Sequence, residues 1–133
     1  MTLIRVALVL GLLLALVSPA AATGGFACEA ADREVTVAIN GATASDGGAI
    51  VQADGNIEIK GGPQAKFDRT HIAQYWNDVR TFRMIVSVPI TASESILLTI
   101  KTAGRGDWTY TGTFTVQAGK LKRRGRITCD ARG

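Results

Sequence analysis

The sequence predicts an all-β protein: an antiparallel β-sandwich, or a small barrel, of about seven strands with one short helix, preceded by a cleaved signal peptide. Apolar and polar residues alternate through most of the chain after residue 22, which is the period of half-buried strands. Short turn-forming stretches separate the alternating runs, and two cysteines stand near the ends of this part. With 133 residues the chain has room for one ordinary domain, and we assign residues 23–133 to it.

Residues 1–22 have the pattern of a secretory leader. A start with one basic residue, Arg5, precedes an almost unbroken Leu/Val/Ala run over residues 6–17, and Pro19 with small residues up to Ala22 follows. The apolar run is too short to cross a membrane, which takes roughly 20 residues. We therefore expect cleavage after Ala22, a mature chain without a transmembrane segment, and a secreted or periplasmic location. The alanine-rich leader is typical of a bacterial protein.

The first predicted strands lie in the N-terminal half of the mature chain. Residues 35–39 alternate and stop at Asn40. Residues 50–52 and 57–59 flank Asp54-Gly55, a dipeptide that tolerates the positive φ angles of a tight hairpin turn. These residues predict one strand followed by a hairpin.

The C-terminal half alternates more regularly. Four runs over residues 82–88, 96–100, 108–117 and 121–129 place apolar side chains on one face and threonines or charged residues on the other. Because the connections between them are short, we expect an antiparallel meander.

One segment between these halves departs from the alternation. Ile72, Tyr75, Trp76 and Val79 are spaced i, i+3, i+4 and i+7, which is the pattern of an amphipathic helix. We expect a short helix near residues 70–78 that passes from one sheet to the other and packs Tyr75 and Trp76 into the core. An exposed carbohydrate platform or partner anchor is the alternative for these two residues.

Cys28 and Cys129 are the two cysteines of the chain. A lone pair in an exported protein is expected to form a disulfide, and no C-x-x-C motif suggests a redox-active thiol. The sequence therefore predicts a structural bridge that joins the two ends of the domain.

The sequence contains no recognisable catalytic or metal-binding motif. One histidine and two cysteines exclude His-rich and four-cysteine metal sites, so we expect no metal and no cofactor. We assign no catalytic residue. A small hydrolase that uses His71 stays open as an alternative, because a triad requires only neighbours in space.

Arg105-Gly106-Asp107 stands where a hairpin turn is expected. The same tripeptide is a recognition element of integrin ligands, but Gly and Asp are also what a tight turn requires. The sequence leaves open whether this loop is functional.

The most distinctive charge pattern is at the C-terminus, where residues 119–133 hold six basic residues and one acidic residue. Alternation along the last strand places four basic residues on one face, with Arg123 on the other: Lys120, Lys122, Arg124 and Arg126. Lys122, Arg124 and Arg126 are our candidate binding residues. The competing explanation is that a terminal edge strand carries charges to prevent edge-to-edge aggregation.

Such a ladder would attract an anionic glycan or another anionic surface. Sequence-specific nucleic acid is not expected, because Trp108 and Tyr110 fall on the inward side and leave no aromatic side chains to stack on bases. We therefore expect an exported, non-enzymatic binding or structural module. The hydrolase using His71 and a secreted inhibitor or assembly subunit that contacts another protein are the alternatives.

Overall fold

The computed structural model describes residues 24–44 and 48–132, so the predicted signal peptide, residues 1–22, lies outside the described residues. The described chain is almost entirely β-strand, and its nine strands form one antiparallel sheet that curls into a nearly closed barrel. The all-β antiparallel class is confirmed. Of the two predicted architectures, the structure has the barrel.

The elements follow one another as strands with a single 3-10 helix among them. The bounds are β1 (Gly24–Ala31), β2 (Val35–Thr43), β3 (Ile50–Ile59), β4 (Gln64–Asp68), the 3-10 helix (Arg69–His71), β5 (Ile72–Asn77), β6 (Thr81–Pro89), β7 (Ser95–Gly104), β8 (Thr109–Ala118) and β9 (Leu121–Arg132). In space the strand order is β4-β3-β2-β1-β9-β8-β7-β6-β5. The predicted meander of the last four strands is confirmed as β6–β9.

The curvature of the sheet follows from how its two edges are connected. β4 and β5 form opposite edges, yet only the three-residue 3-10 helix separates them in the chain. The two edges must therefore lie close together. The guanidinium of Arg69 donates a hydrogen bond to the carbonyl of Val51 on β3, 3.3 Å away, and so fastens this connection to the β4 side of the seam.

Aromatic rings fill the interior and meet across it. The ring of Phe26 on β1 lies 5.7 Å from the ring of Tyr75 on β5 and 5.7 Å from that of Phe82 on β6. β1 and β6 are four positions apart in the sheet, so these contacts pass through the barrel interior and do not run between neighbouring strands. The alternation seen in the sequence thus produces a single enclosed core.

Several aromatic side chains of the core pack against glycines of the neighbouring strand. Three phenylalanines each lie directly opposite a glycine of the neighbouring strand: Phe26 opposite Gly41, Phe67 opposite Gly55, and Phe114 opposite Gly125. A β-carbon on these glycines would lie within 2.3, 2.0 and 2.7 Å of the ring atoms, respectively. Only a residue without a side chain leaves room for the ring at these positions.

These glycine–ring contacts explain why two predicted strand boundaries in the N-terminal half are wrong. The turn expected at Asp54-Gly55 is wrong, because β3 continues through it and Gly55 serves to accommodate Phe67. The end expected at Asn40 is also wrong, because β2 continues to Thr43 while the ring of Phe26 covers Gly41. The two short runs that flank Asp54 are therefore one strand, and β1, β4 and β5 bring the total from about seven to nine.

The predicted helix over residues 70–78 is also wrong. These residues form the end of the 3-10 helix and β5, which pairs with β6. A β-bulge shifts the register between Ile72 and Gln74, so Ile72 and Tyr75 both face inward although they are three positions apart in the chain. The extra residue imitates a helical spacing. Tyr75 packs in the core as expected, but Trp76 faces outward.

The predicted disulfide is confirmed. Cys28 on β1 and Cys129 on β9 are bonded, lie directly opposite each other in the strand register, and are both fully buried. The bridge closes 101 residues of chain between the first and the last strand.

We expect the variant Cys28→Ala/Cys129→Ala to lose on the order of 4 kcal/mol of unfolding free energy, because its unfolded chain is no longer closed into a loop. Urea unfolding of the oxidised wild type and the variant measures the difference. The wild type reduced with dithiothreitol is the control and is expected to behave like the variant. Equal midpoints for the oxidised wild type and the variant would contradict a stabilising role.

We expect Gly55→Ala to cost about 1–3 kcal/mol of stability, because its β-carbon would collide with the Phe67 ring. In a Phe67→Leu background the same change is expected to cost much less, since the nearest atoms are all ring atoms. Urea unfolding of the wild type, the two single variants and the double variant measures the coupling. An equal cost in both backgrounds would show that the ring is not what requires the glycine.

Candidate anion-binding face

The three candidate residues of the last strand lie where the alternation placed them. Lys122, Arg124 and Arg126 are all exposed and project from the outer face of β9. Arg123 has the opposite orientation, and its Nε lies 3.2 Å from a carboxylate oxygen of Glu34. Successive outward residues of one strand are about 6.5–7 Å apart, so the three cations form a line along β9.

β9 is the fifth of nine strands in the sheet, but β1 covers only its C-terminal end. β8 pairs with residues 121–130 of β9, whereas β1 pairs with residues 128–132. Lys122, Arg124 and Arg126 therefore lie on the part of β9 that pairs with β8 alone. The explanation that these charges protect an unpaired strand segment from aggregation stays open beside the binding explanation.

The strand register adds two further cations to the same surface. Arg83 on β6 lies opposite Lys101 on β7, Lys101 lies opposite Thr113 on β8, and Thr113 lies opposite Arg126. Neighbouring strands are about 4.8 Å apart, so this row crosses the sheet nearly at right angles to the line of cations on β9. Arg83 and Lys101 are exposed, as Arg126 is.

Two more rows run parallel to the first. The second row consists of Ile85, Thr99, Thr115 and Arg124, and the third consists of Ser87, Leu97, Gln117 and Lys122. We call the outer surface formed by these three rows the basic face. It carries five cations among hydroxyl, amide and apolar side chains, and none of the residues in the three rows is acidic.

The opposite part of the sheet has the opposite charge. The outer surface of β1–β4 carries four exposed carboxylates: Glu29, Asp54, Glu58 and Asp68. One lysine, Lys66, lies on the outer surface of the same strands. The outer surface of β5–β9, by contrast, carries the five cations of the basic face and one exposed carboxylate, Asp130 near the end of β9. The charges are thus unevenly distributed, although the net charge of the chain is only +4.

Trp76 borders the basic face at β5. It lies directly opposite Arg83, so it continues the first row by one strand, and 61% of its surface is exposed. Its indole N–H donates a hydrogen bond of 3.0 Å to the carboxylate of Asp78. An exposed tryptophan held in one orientation by a side-chain hydrogen bond is available to a ligand as a flat apolar surface.

Asp78 in turn is fixed by the backbone of the β5–β6 turn. Its Oδ1 accepts hydrogen bonds from the backbone N–H groups of Arg80 and Thr81, at 2.8 and 2.7 Å. The N–H of Arg80 and the indole of Trp76 are the main causes that hold the pKa of Asp78 below its usual value of 3.8. The carboxylate that orients Trp76 is therefore ionised at neutral pH.

Two adjoining grooves follow this surface. The larger, of about 840 Å³, runs beside Trp76, and the smaller, of about 410 Å³, extends toward Lys122 and Arg124. Thr99 and Lys101 line both grooves. A chain-like ligand could therefore lie continuously from β5 to β9.

Sequence alternation alone identified only part of this surface. Arg83 and Lys101 stood on the polar side of their predicted strands, but only the strand register places them beside Arg126. The core position predicted for Trp76 is wrong, because the bulge in β5 imitates a helical spacing. Tyr110 is fully buried and Trp108 packs partly against the core, in agreement with the inward side predicted for both.

His71 has a local structural role. Its Nδ1 accepts a hydrogen bond of 3.1 Å from the backbone N–H of Asp68 and lies 3.2 Å from the Asp68 carboxylate. The hydroxyl of Thr70 donates to that same carboxylate. The contacts between Asp68 and His71 form a capping box around the start of the 3-10 helix. The Thr70 hydroxyl bonds to the Asp68 carboxylate and not to the His71 imidazole.

The Arg105-Gly106-Asp107 segment forms the exposed loop between β7 and β8. Gly106 and Trp108 both have positive φ angles, of 95° and 63°. The carboxylate of Asp107 accepts a hydrogen bond of 3.2 Å from the backbone N–H of Thr109, so it helps to form the turn itself.

The sequence matches no protein-family model, no curated protein and no solved structure. In the part of the chain that the structure describes, no helix is long and apolar enough to cross a membrane. Across the same residues, no group of three or more His, Cys, Asp or Glu side chains is placed to hold a metal ion.

We expect the indole N–H resonance of Trp76 to shift as the pH falls below about 4, because protonation of Asp78 weakens the bond that orients the ring. The pKa of Asp78 is lower in the folded than in the unfolded state. The ionised carboxylate therefore stabilises the folded state fully above pH 3.8, the pKa of the unfolded state. This stabilisation is lost as the pH falls through the lower folded-state pKa. Two-dimensional NMR measures the shift, with Trp108 as internal reference. If the Trp76 resonance shifts in the same way with pH in the Asp78→Asn variant, Asp78 is not the group that causes the shift.

Proposed function

We propose that this protein is an exported, non-enzymatic binding module that holds an anionic polymer on the basic face. The observation that carries the proposal is the placement of five exposed cations on β6, β7 and β9, with no carboxylate in the three rows that contain them.

Charge repulsion supports a ligand at this position. Like charges on neighbouring strands destabilise a folded sheet, and directly opposed pairs such as Arg83 and Lys101 are the least favourable arrangement. Four exposed carboxylates lie on the outer surface of β1–β4, and none lies in the three rows that contain these cations. A bound polyanion would relieve the repulsion.

The shape of the surface favours an extended partner. The first row crosses from Arg83 to Arg126 over three strand spacings, about 14 Å, and β9 adds two more cations along its length. The two grooves join along this path through Thr99 and Lys101. A small anion would contact one or two of these cations, whereas a polymer with repeated negative charges can contact all five.

The proposed place of action is the periplasm or the outside of the cell. The buried Cys28–Cys129 disulfide is compatible with an oxidising compartment, and the leader-like residues 1–22 provide a route to it. Acidic polysaccharides and anionic cell-surface polymers are abundant chemical partners in such a location.

We expect removal of three cations of β9 to weaken binding to heparin, used as a model polyanion, by on the order of a hundredfold. This follows from about 1 kcal/mol for each basic residue near an anionic surface. The variant carries Lys122→Ser, Arg124→Ser and Arg126→Ser. Elution from immobilised heparin in a salt gradient, and a dissociation constant in solution, measure the loss.

The matched control removes the same amount of charge elsewhere. It carries three substitutions at exposed positions in the turns and strands of β1–β4: Arg33→Ser, Lys60→Ser and Lys66→Ser. We expect this control to elute close to the wild type. If both triple variants elute at the same salt concentration, net charge and not the basic face determines retention, and the proposal is wrong.

A further inference from the structure

We propose that the bound polymer is an acidic polysaccharide and that Trp76 packs against one of its sugar rings. This inference rests on the proposed function, because the cations of the basic face would hold the acidic groups of the same polymer. It adds a recognition element that charge alone does not provide.

The position of Trp76 relative to the cations is the first argument. Arg83, its direct neighbour across the strand pair, begins a row that continues through Lys101 to Arg126. A polymer that lies along this row would reach the indole at its β5 end. The larger groove has Trp76, Arg83 and Lys101 in its lining, so the ring and the first two cations face one space.

The held orientation of the indole is the second argument. Trp76 exposes 61% of its surface to solvent, which is costly for an apolar side chain. It nevertheless does not fold back onto the protein, because its N–H is bonded to Asp78, which the β5–β6 turn holds in place. A flat ring kept exposed in a fixed position has less conformational freedom to lose when a ligand packs against it.

The neutral residues of the basic face are the third argument. Threonine and glutamine side chains lie between the cations: Thr99, Thr113, Thr115 and Gln117. Their hydroxyl and amide groups can both donate and accept hydrogen bonds. A polysaccharide with sulfate or carboxylate groups offers anions, hydroxyl groups and the apolar faces of its rings, and so provides a partner for each side-chain type on this surface.

Single-stranded nucleic acid is the other polyanion with rings, and the structure favours it less. Proteins that bind it present successive aromatic side chains on which consecutive bases stack. Trp76 is the one aromatic residue on the three rows and their continuation to β5, while Tyr75, Phe82 and Phe114 on the same strands face the core. One stacking position fits one ring of a hydroxyl-rich polymer better than a run of bases.

The test compares three polyanions of matched charge: a heparin-derived octasaccharide, a linear polyphosphate and an oligothymidylate. We expect Trp76→Ala to bind the octasaccharide about tenfold more weakly than the wild type, which is the order of an aromatic contact. Binding to polyphosphate, which has no rings, is expected to change less than twofold. Isothermal titration calorimetry gives the constants. In the wild type, the octasaccharide should also change tryptophan fluorescence, and this change should be absent in Trp76→Ala.

Two further variants serve as controls. Trp76→Phe keeps a flat ring and is expected to retain most of the octasaccharide affinity. Ile90→Ala removes another exposed apolar side chain, in the β6–β7 turn, and is expected to bind all three polymers as the wild type does. Urea midpoints of all the variants verify that they are folded.

The outcomes separate this inference from the proposed function. If Trp76→Ala weakens all three polymers equally, weakens none, or weakens the oligothymidylate as much as the octasaccharide, the sugar-ring contact is wrong. If the Lys122/Arg124/Arg126 triple variant binds polyphosphate as tightly as the wild type, the basic face itself is not the binding surface. The second result does not depend on Trp76.

Discussion

The pairing of the first strand with the last is the constraint on which the rest of the molecule depends. β1–β4 and β5–β9 are two antiparallel meanders, and each alone would have two open edges and an unpaired apolar face. The β1–β9 pairing, which includes the Cys28–Cys129 bridge, joins them into one sheet of nine strands. The 3-10 helix then connects the remaining edges, and the inner faces enclose a common core. The disulfide therefore stabilises the contact of greatest sequence separation, whose formation costs the chain the most entropy.

The strand order also determines which side chains lie beside the cations of β9. β8 pairs with the segment that carries Lys122, Arg124 and Arg126, and the rows across β8 and β7 bring these cations onto one outer surface with Lys101 and Arg83. The four carboxylates on the outer surface of β1–β4 belong to one meander, and the five cations of the basic face belong to the other. The net charge of the chain is therefore a poor measure of the potential at the basic face. A polyanion within a Debye length of this face responds to the local cations and not to the net charge.

The parts of this fold that sequence reasoning predicted are those that depend on local alternation. The β6–β9 meander, the outward positions of the β9 cations and the disulfide all follow from a period of two and from cysteine placement. The errors arose where a residue acts through a distant neighbour. Asp54-Gly55 has the composition of a turn, but Gly55 is required in a continuous strand because the Phe67 ring of the next strand covers it. The spacing from Ile72 to Tyr75 has the appearance of a helix until the β6 register reveals a bulge. Arg83 and Lys101 required the pairing of strands before they could join the candidate site.

The glycine–aromatic pairs also bear on why Trp76 differs from the other aromatic residues. Phe26, Phe67 and Phe114 each lie over a glycine that leaves space for the ring, and the core is built around these placements. Tyr110 likewise lies opposite Gly104 and is fully buried. Trp76 faces Arg83 instead, on the outer surface of an edge strand, and the packing of the core places no demand on it. Its indole is held outward by Asp78 beside a row of cations. The packing of the core therefore does not account for a tryptophan at this position, which is why the proposed ligand contact is assigned to Trp76 and not to another aromatic residue.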